Sequence, residues 1–261
     1  MMATPPRPAG AARAAVNAAA ILTREIEQRL LAPAVDAVTS DGRKQRWARH
    51  KQARRTELIL GTMEAVRALG PDVGMDEIAG HVGVSKTVLY RYFTDKNDLA
   101  TAVSEAFIQT TVLPGLNEAL TEELDDFELV RTVIGVYVRT VAQDPNLYRY
   151  SVATEHADPG TLAAAIRVFS GAIESTLHSR LTDREAEPGG AATWAFVMIG
   201  GVELTVGRWL DDPWVDADQL ADELTMLLWG GIAGVIQSGG STTEFAAAPP
   251  RIAPILPEEE A

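Results

Sequence analysis

The stretch HVGVSKTVLYRYFTDKNDL, residues 81–99, decides the fold of this 261-residue chain because it contains the end of one helix, a turn and the start of another. Glycine at position 83 allows the positive φ that a sharp turn between two helices requires. The hydroxyl of Ser85 is expected to accept a hydrogen bond from a free backbone N–H and so to begin the next helix. We therefore predict a short helix over about 75–82 and a second helix over about 86–93.

The residues before this stretch predict a longer helix that packs against it. Apolar residues recur at helical spacing through TELILGTMEAVRALG, and Gly70 with Pro71 provides a stop. The apolar positions are Leu58, Ile59, Met63, Val66 and Leu69 in this helix, followed by Met75, Ile78, Ala79 and Val82 in the short helix. Three helices, the last two joined by a glycine turn, predict a compact helix-turn-helix unit.

The second helix of this unit has an apolar side and a polar side. Val84, Leu89 and Phe93 are expected to face the core. The residues that then project away from the core are Lys86, Thr87, Tyr90 and Arg91. Hydroxyl groups and cations on one exposed face suit contact with the phosphates and base edges of a duplex, so this face predicts nucleic-acid binding.

The charge distribution supports this prediction. The formal net charge of the chain is −13, yet residues 43–96 hold eleven basic and six acidic side chains, whereas residues 97–261 hold eight basic and twenty-six acidic ones. All four lysines, Lys44, Lys51, Lys86 and Lys96, fall in the basic segment. One short region is therefore suited to a polyanion, and the remainder would repel it.

The rest of the chain also predicts helices, so the expected fold class is all-α. Beyond residue 97 we expect helices at about 97–112, 115–122, 126–143, 146–155, 159–181, 190–210 and 216–237. Residues 1–42 are expected to be a partly disordered extension, in which residues 13–38 have helical composition and Pro33 ends the helix. Residues 239–261 are expected to be a disordered, acidic, proline-rich tail.

Several classes of protein are disfavoured by the sequence. The chain has no cysteine, and its longest apolar run, MLLWGGIAGVI, is shorter than a membrane span. It lacks the glycine-rich phosphate loops, the nucleophile elbow and the HExxH helix of common enzymes, and His156 and His178 belong to no metal-binding pattern. We therefore expect a cytoplasmic protein that is not an enzyme, with no cofactor, no metal and no membrane segment.

The run VGVSKTVLYRYFTDKNDL resembles the signature of the tetracycline-repressor (TetR) family of one-component regulators. The resemblance is strong over about residues 53–100 and looser over 101–238. It implies an N-terminal three-helix DNA-binding domain, here residues 43–97, followed by a helical ligand-binding and dimerisation domain, here residues 98–238. Residues 1–42 and 239–261 lie outside it.

By position, the resemblance also implies roles in DNA binding. Ser85, Lys86 and Thr87 would lie nearest the base edges, Tyr90, Tyr92 and Lys96 would contact flanking phosphates, and Arg54, Arg55 and Thr56 would meet the backbone from the first helix. Arg91 would contact either phosphate or only water. The chain departs from the family in the cations Arg43, Lys44, Arg46, Arg49 and Lys51, which form either an arm along DNA or a solubilising linker.

In the second domain, many large apolar residues predict a core and a cavity for a small hydrophobic or amphipathic effector. The candidate ligand-binding residues are Phe107, Leu116, Val133, Tyr137, Tyr148, Phe169, Ile173, Trp194 and Met198. The glycine-containing helices at about 190–210 and 216–237 are apolar around much of their circumference, which predicts close helix approach and a homodimer. Glu203 within them pairs with Arg208 or marks a cavity.

These observations predict a ligand-responsive transcriptional regulator. The family resemblance implies a repressor as the default, and we expect it to bind a palindromic DNA operator as a homodimer and to be released by its effector. The residues leave activation open as the alternative. The alternative is a helical adaptor or corepressor that binds protein and retains a DNA-binding fold without its activity.

Overall fold

The computed structural model describes residues 42–115, 124–155 and 161–249, with side chains described over 47–115, 124–152 and 169–249. The helix expected before Pro33, most of that at 115–122, and the residues Leu116 and His156 lie outside the described residues. All regular structure in these ranges is helical, which confirms the predicted all-α class.

The helices follow one another with short connections. Residues 42–107 contain α1 (Gly42–Leu69), α2 (Met75–Val82), α3 (Lys86–Tyr90) and α4 (Lys96–Phe107), and α4 continues into a π-helical segment, Ile108–Val112. The later helices are α5 (Asp126–Gln143), α6 (Pro145–Glu155), α7 (Thr161–Thr182), α8 (Ala191–Asp211), α9 (Ala217–Gln237) and α10 (Thr242–Ala247).

Helices α1 to α3 form a compact head around one apolar core. Leu58 of α1, Ile78 of α2 and Leu89 of α3 are fully buried, and Phe93 after α3 is 1% exposed. The turn between α2 and α3 has Gly83 at φ 74°, in the left-handed region, as expected. The predicted helix-turn-helix unit is therefore present, with its apolar residues where their spacing predicts.

Three details of the head differ from expectation. The hydroxyl of Ser85 accepts no hydrogen bond from a backbone N–H at the start of α3. The backbone carbonyl of Ser85 accepts the Val88 N–H at 2.8 Å instead. Leu69 is 53% exposed, because the last turn of α1 extends beyond the core of the head. Helix α3 ends at Tyr90, since the chain then turns so that Phe93 enters the core and Asp95 caps α4 through the Asp98 N–H.

Helix α4 connects the head to the remaining helices, which we call the body. It packs on α1 in the head and on α6 and α7 in the body. A second connection joins the end of α1 to the turn before α6, where Arg67 Nε and Nη2 donate to the Asp144 carboxylate at 2.8 and 3.0 Å. Asn146 Nδ2 also donates to the Arg67 carbonyl at 3.2 Å. The head is thus held to the body at two separate places.

In the body, α9 packs mainly along α5, and α8 packs mainly along α7. Helices α8 and α9 meet near their connecting turn, where Trp209 Nε1 donates to the Val215 carbonyl at 2.9 Å. They do not lie along each other, and a Cβ atom at Gly200, Gly201, Gly230, Gly231 or Gly234 would meet no atom within 4 Å. The close helix approach expected at these glycines is therefore absent within the described chain.

The prediction of disorder from residue 239 onward is wrong for its first part. Gly239 and Gly240 adopt left-handed backbone conformations, and the Gly239 carbonyl accepts the Glu187 N–H at 2.7 Å. A Cβ atom at Gly240 would lie 2.0 Å from the Glu187 carbonyl oxygen. Two glycines thus let the chain reverse against the α7–α8 loop before α10, which the polar and proline-rich composition did not reveal.

Truncating the core residue of α3 tests this packing. Leu89→Ala should lower the free energy of unfolding by about 2–5 kcal/mol, because it leaves a cavity where a fully buried side chain now lies. Urea denaturation followed by circular dichroism measures the change. Tyr90→Ala is the matched control, since its side chain is 47% exposed, and an equal loss in both variants would contradict the assigned faces.

Candidate nucleic-acid interface and effector-binding body

One side of α3 is open to solvent. The exposed residues at its start and along it are Ser85, Lys86, Thr87, Tyr90 and Arg91. The opposite side carries Leu89, and the flanking Val84 packs against the head core. The structure therefore presents the predicted polar face outward, as major-groove contact would require.

Lys86 has an intramolecular partner on this face. Its Nζ lies 2.8 Å from Oδ2 of Asp76 in the first turn of α2, and both side chains are exposed. The hydrogen bond to Asp76 raises the pKa of Lys86, so its positive charge is retained. Because exposed ion pairs are weak, the ammonium group is free to exchange this carboxylate for a base edge or phosphate.

A second group of predicted contacts surrounds the start of α4. Lys96 is the first residue of α4 and is exposed, as the resemblance implies. Thr94 before it donates its N–H to Asp98 Oδ2 at 2.8 Å, which holds this turn in place. Tyr92 is only half-exposed because its ring packs against the head core. Lys96 is therefore the more accessible of the two predicted phosphate contacts.

The predicted contacts of α1 fall into two environments. Thr56 is exposed, and the partly exposed Arg54 pairs with Glu57 at 2.5 Å. Arg55 is 18% exposed, with its guanidinium 4.9 Å from the Phe93 ring centroid and 3.6 Å from Asp98 Oδ1. Arg55 thus joins α1 to the start of α4, a structural role that its position in a basic run did not reveal.

The body contains a half-buried acidic group that joins three helices. Glu203 of α8 accepts hydrogen bonds from the hydroxyls of Tyr137 on α5 and, at 2.8 Å, Tyr148 on α6. Burial, and then the charge of Glu203, raise the pKa of both phenols. Arg208 pairs with Asp212 at 3.3 Å instead, so of the two alternatives left open, pairing with Arg208 is excluded.

The predicted ligand-binding residues do not form a single cluster. Phe107 belongs to the core that extends from the head, and Val133 and Phe169 pack against it. Tyr148 belongs to a second core with Trp209, and Tyr137 packs against that one. Ile173, Trp194 and Met198 are partly buried on α7 and α8.

Three buried polar atoms in the body were missed by the sequence interpretation. Gln109 Nε2, Ser151 Oγ and Ser170 Oγ have no hydrogen-bond partner among the described residues. They lie on the π-helical segment that continues α4, on α6 and on α7, and α4, α6 and α7 pack on one another. Unpartnered buried polar groups are uncommon, and π-helical turns often mark functional sites. Single polar residues among apolar ones carry no sequence signal of such a grouping.

Two further features concern the chemistry that the body permits. No group of three or more His, Cys, Asp or Glu side chains within the described ranges is arranged to hold a metal ion. No helix in the part of the chain that the structure describes is long and apolar enough to cross a membrane.

The buried phenols should be visible in an alkaline titration. Burial raises the pKa of Tyr150 to about 12, and the phenols bonded to Glu203 ionise later than an ordinary tyrosine. The unfolded chain then loses these protons first, so the contribution of these phenols to the free energy of unfolding should be constant below about pH 10 and fall above it. Urea denaturation at stepwise higher pH, with tyrosinate absorbance, measures this. Tyr148→Phe should reduce this alkaline loss of stability, because it removes one of the buried phenols.

Comparison with known proteins agrees with this geometry. The family model for bacterial regulatory proteins of the tetR family matches residues 59–103. An uncharacterized HTH-type transcriptional regulator of Mycobacterium tuberculosis is 45% identical over 226 residues, which cover 86% of this chain and 96% of that protein. The HTH-type transcriptional activator FasR of Mycolicibacterium smegmatis is 26% identical over 188 residues, covering 71% and 85% of the two chains.

A solved structure shares the fold. FadR from Bacillus subtilis, solved in complex with stearoyl-CoA, superposes with a TM-score of 0.55 at 20% identity and covers 67% of this chain and 98% of its own. The matched segment begins within α1 and ends within α4, so it contains the entire helix-turn-helix. Given the head geometry and the extent of the mycobacterial match, this chain belongs to the tetR family of bacterial transcriptional regulators.

Proposed function

We propose that this regulator is a repressor that binds a palindromic DNA operator as a homodimer and releases it when a hydrophobic or amphipathic molecule binds the body. The observation that carries the DNA-binding part is the open polar face of α3, with Lys86, Thr87, Tyr90 and Arg91 all exposed. A DNA-binding role supports a cytoplasmic location, where the chromosome lies.

The dimer is supported by apolar surface on the last two long helices. Phe196, Val197 and Leu204 of α8 and Met226 and Leu227 of α9 are between 56% and 78% exposed. Large apolar side chains exposed in this number favour an interface with another molecule. The uncrowded glycines on the same helices leave room for a second copy to approach closely. Two heads related by a two-fold axis would then read a palindrome.

The effector is proposed to bind among α4, α6, α7 and α8. The apolar residues of both cores supply the walls, while Gln109, Ser151 and Ser170 offer unpartnered polar atoms to a polar group of the effector. Apolar walls with few polar groups are typical of small-molecule sites. Because α4 packs on this region and carries Lys96 at its other end, occupancy of the body would change the position of the head.

The effector proposal is tested with a concrete probe, stearoyl-CoA, chosen because FadR from Bacillus subtilis was solved with it. If the three polar atoms hold the effector, Gln109→Leu combined with Ser170→Ala should weaken binding of an active probe about tenfold or more and leave DNA affinity unchanged. Native mass spectrometry measures the bound probe, and a mobility shift measures DNA. If wild-type protein with bound stearoyl-CoA remains bound to DNA, release of DNA by this effector is contradicted.

The assigned DNA roles predict two kinds of variant. Tyr90→Ala and Lys96→Ala should weaken binding to all duplexes alike, and Lys96→Ala should reduce the salt slope by about 1, because phosphates carry no sequence information. Lys86→Ala and Thr87→Ala should change which operators are preferred, by about 1–3 kcal/mol for each base contact. Binding to a randomised duplex library, sequenced after selection, measures both effects.

Equal behaviour of the two pairs would contradict the division into phosphate and base contacts. A wild-type affinity that does not fall with added salt would contradict DNA binding altogether and favour the protein-binding alternative.

A further inference from the structure

We infer that the N-terminal part of α1, residues 43–51, is a second DNA-binding element that contacts the phosphates flanking the operator without reading sequence. This inference rests on the proposed DNA-binding function and adds a contact outside the family-matched segment, which begins only at residue 59. Of the two interpretations of the basic stretch, it chooses a DNA-binding arm over a solubilising linker, and we call residues 43–51 the arm.

The first observation is that the basic stretch is part of a helix. Helix α1 runs unbroken from Gly42 to Leu69, over 28 residues, so the cations do not lie on a separate linker. Residues 43–55 contain seven arginines and lysines and no acidic residue. At 1.5 Å per residue, the part before Arg55 extends about 18 Å, a length that passes roughly ten phosphate charges of a duplex.

The second observation is where this part of α1 is anchored. Arg55 lies against the Phe93 ring and beside Asp98, at the start of α4. The exposed Lys96 is in the same turn of α4, so the root of the arm lies beside a predicted phosphate contact. Residues 43–51 therefore extend along α1 from the end of the head where the DNA-contacting residues begin.

The third observation is that the arm is electrostatically unfavourable by itself. The first turns of a helix carry the positive end of its dipole, which favours anions, yet the first turn of α1 contains no acidic residue. Arg49 and Lys51 form no ion pair with any described residue, although the body is rich in carboxylates. A polyanion outside the chain would relieve this repulsion.

The fourth observation is the exposed Trp47, whose side chain is 70% accessible. The Lys51 ammonium lies 5.9 Å from its ring centroid, so an aromatic donor and a cation occupy adjacent turns of one surface. An indole exposed to water contributes nothing to the core. Next to a duplex its N–H can donate to a phosphate, and the ring can pack on a sugar.

The test compares Arg49→Gln/Lys51→Gln with a matched pair of body cations, Arg131→Gln/Arg139→Gln. Those two arginines lie on α5 and face Asp222 and Asp218. The probe is a fluorescein-labelled duplex of random sequence, because a phosphate contact needs no operator. Anisotropy titrations over a fourfold range of KCl give the dependence of affinity on salt.

The arm variant should lower the salt slope by about 1.8, so that its affinity falls about twelvefold less than that of wild type over this range. The body variant should keep the wild-type slope. Neutralising Arg43, Lys44 and Arg46 as well should lower the slope further. Helix content measured by circular dichroism should be maintained or increased, since the removed charges oppose the helix dipole.

Other outcomes separate the two levels of the proposal. If the arm variant keeps the wild-type dependence of affinity on salt, residues 43–51 do not contact phosphates, and the inference is wrong. DNA binding by the head would be unaffected, and the basic stretch would then be a solubilising segment. Absence of wild-type affinity for any duplex would remove the DNA-binding function itself. Binding of the wild type, but not the arm variant, to anionic phosphatidylserine vesicles in place of DNA would assign the arm to a membrane surface and overturn the inference.

Discussion

The burial of Leu89 and Phe93 against α1 and α2 determines what this protein can contact. Because both side chains are almost fully enclosed, α3 cannot rotate about its axis, and Lys86, Thr87, Tyr90 and Arg91 must face solvent. A five-residue helix would not be stable alone, so its orientation comes entirely from this packing. The same Phe93 ring supports the Arg55 guanidinium, which links the basic helix α1 to α4.

Helix α4 is the element through which head and body influence each other. Its start is joined to the head by Arg55 and Asp98, its length packs on α6 and α7, and its end passes into the π-helical segment. The paired hydrogen bonds between Arg67 and Asp144 form a second connection at the far end of α1. The head is therefore attached to the body at two places, and its packed core resists deformation.

Local patterns predicted the head well and the body less well. Leu58, Ile78 and Leu89 follow helical spacing, and the glycine at 83 needs only its own backbone freedom, so neighbours in sequence suffice. The partners of Glu203 lie 66 and 55 residues away on other helices, and no local pattern encodes them. The exposure of Leu69 depends on where α1 extends beyond the core. The need for glycine at position 240 depends on where the chain reverses.

By itself, the sequence determined the all-helical class, the helix-turn-helix and the concentration of positive charge in residues 43–96, because these follow from periodicity, glycine and composition over short distances. The tertiary structure alone decided that Arg55 turns inward, that Glu203 joins two tyrosines, and that the basic run is a continuous helix anchored at the head. The physical reason is that burial and pairing between distant residues depend on how helices pack, which no single segment specifies.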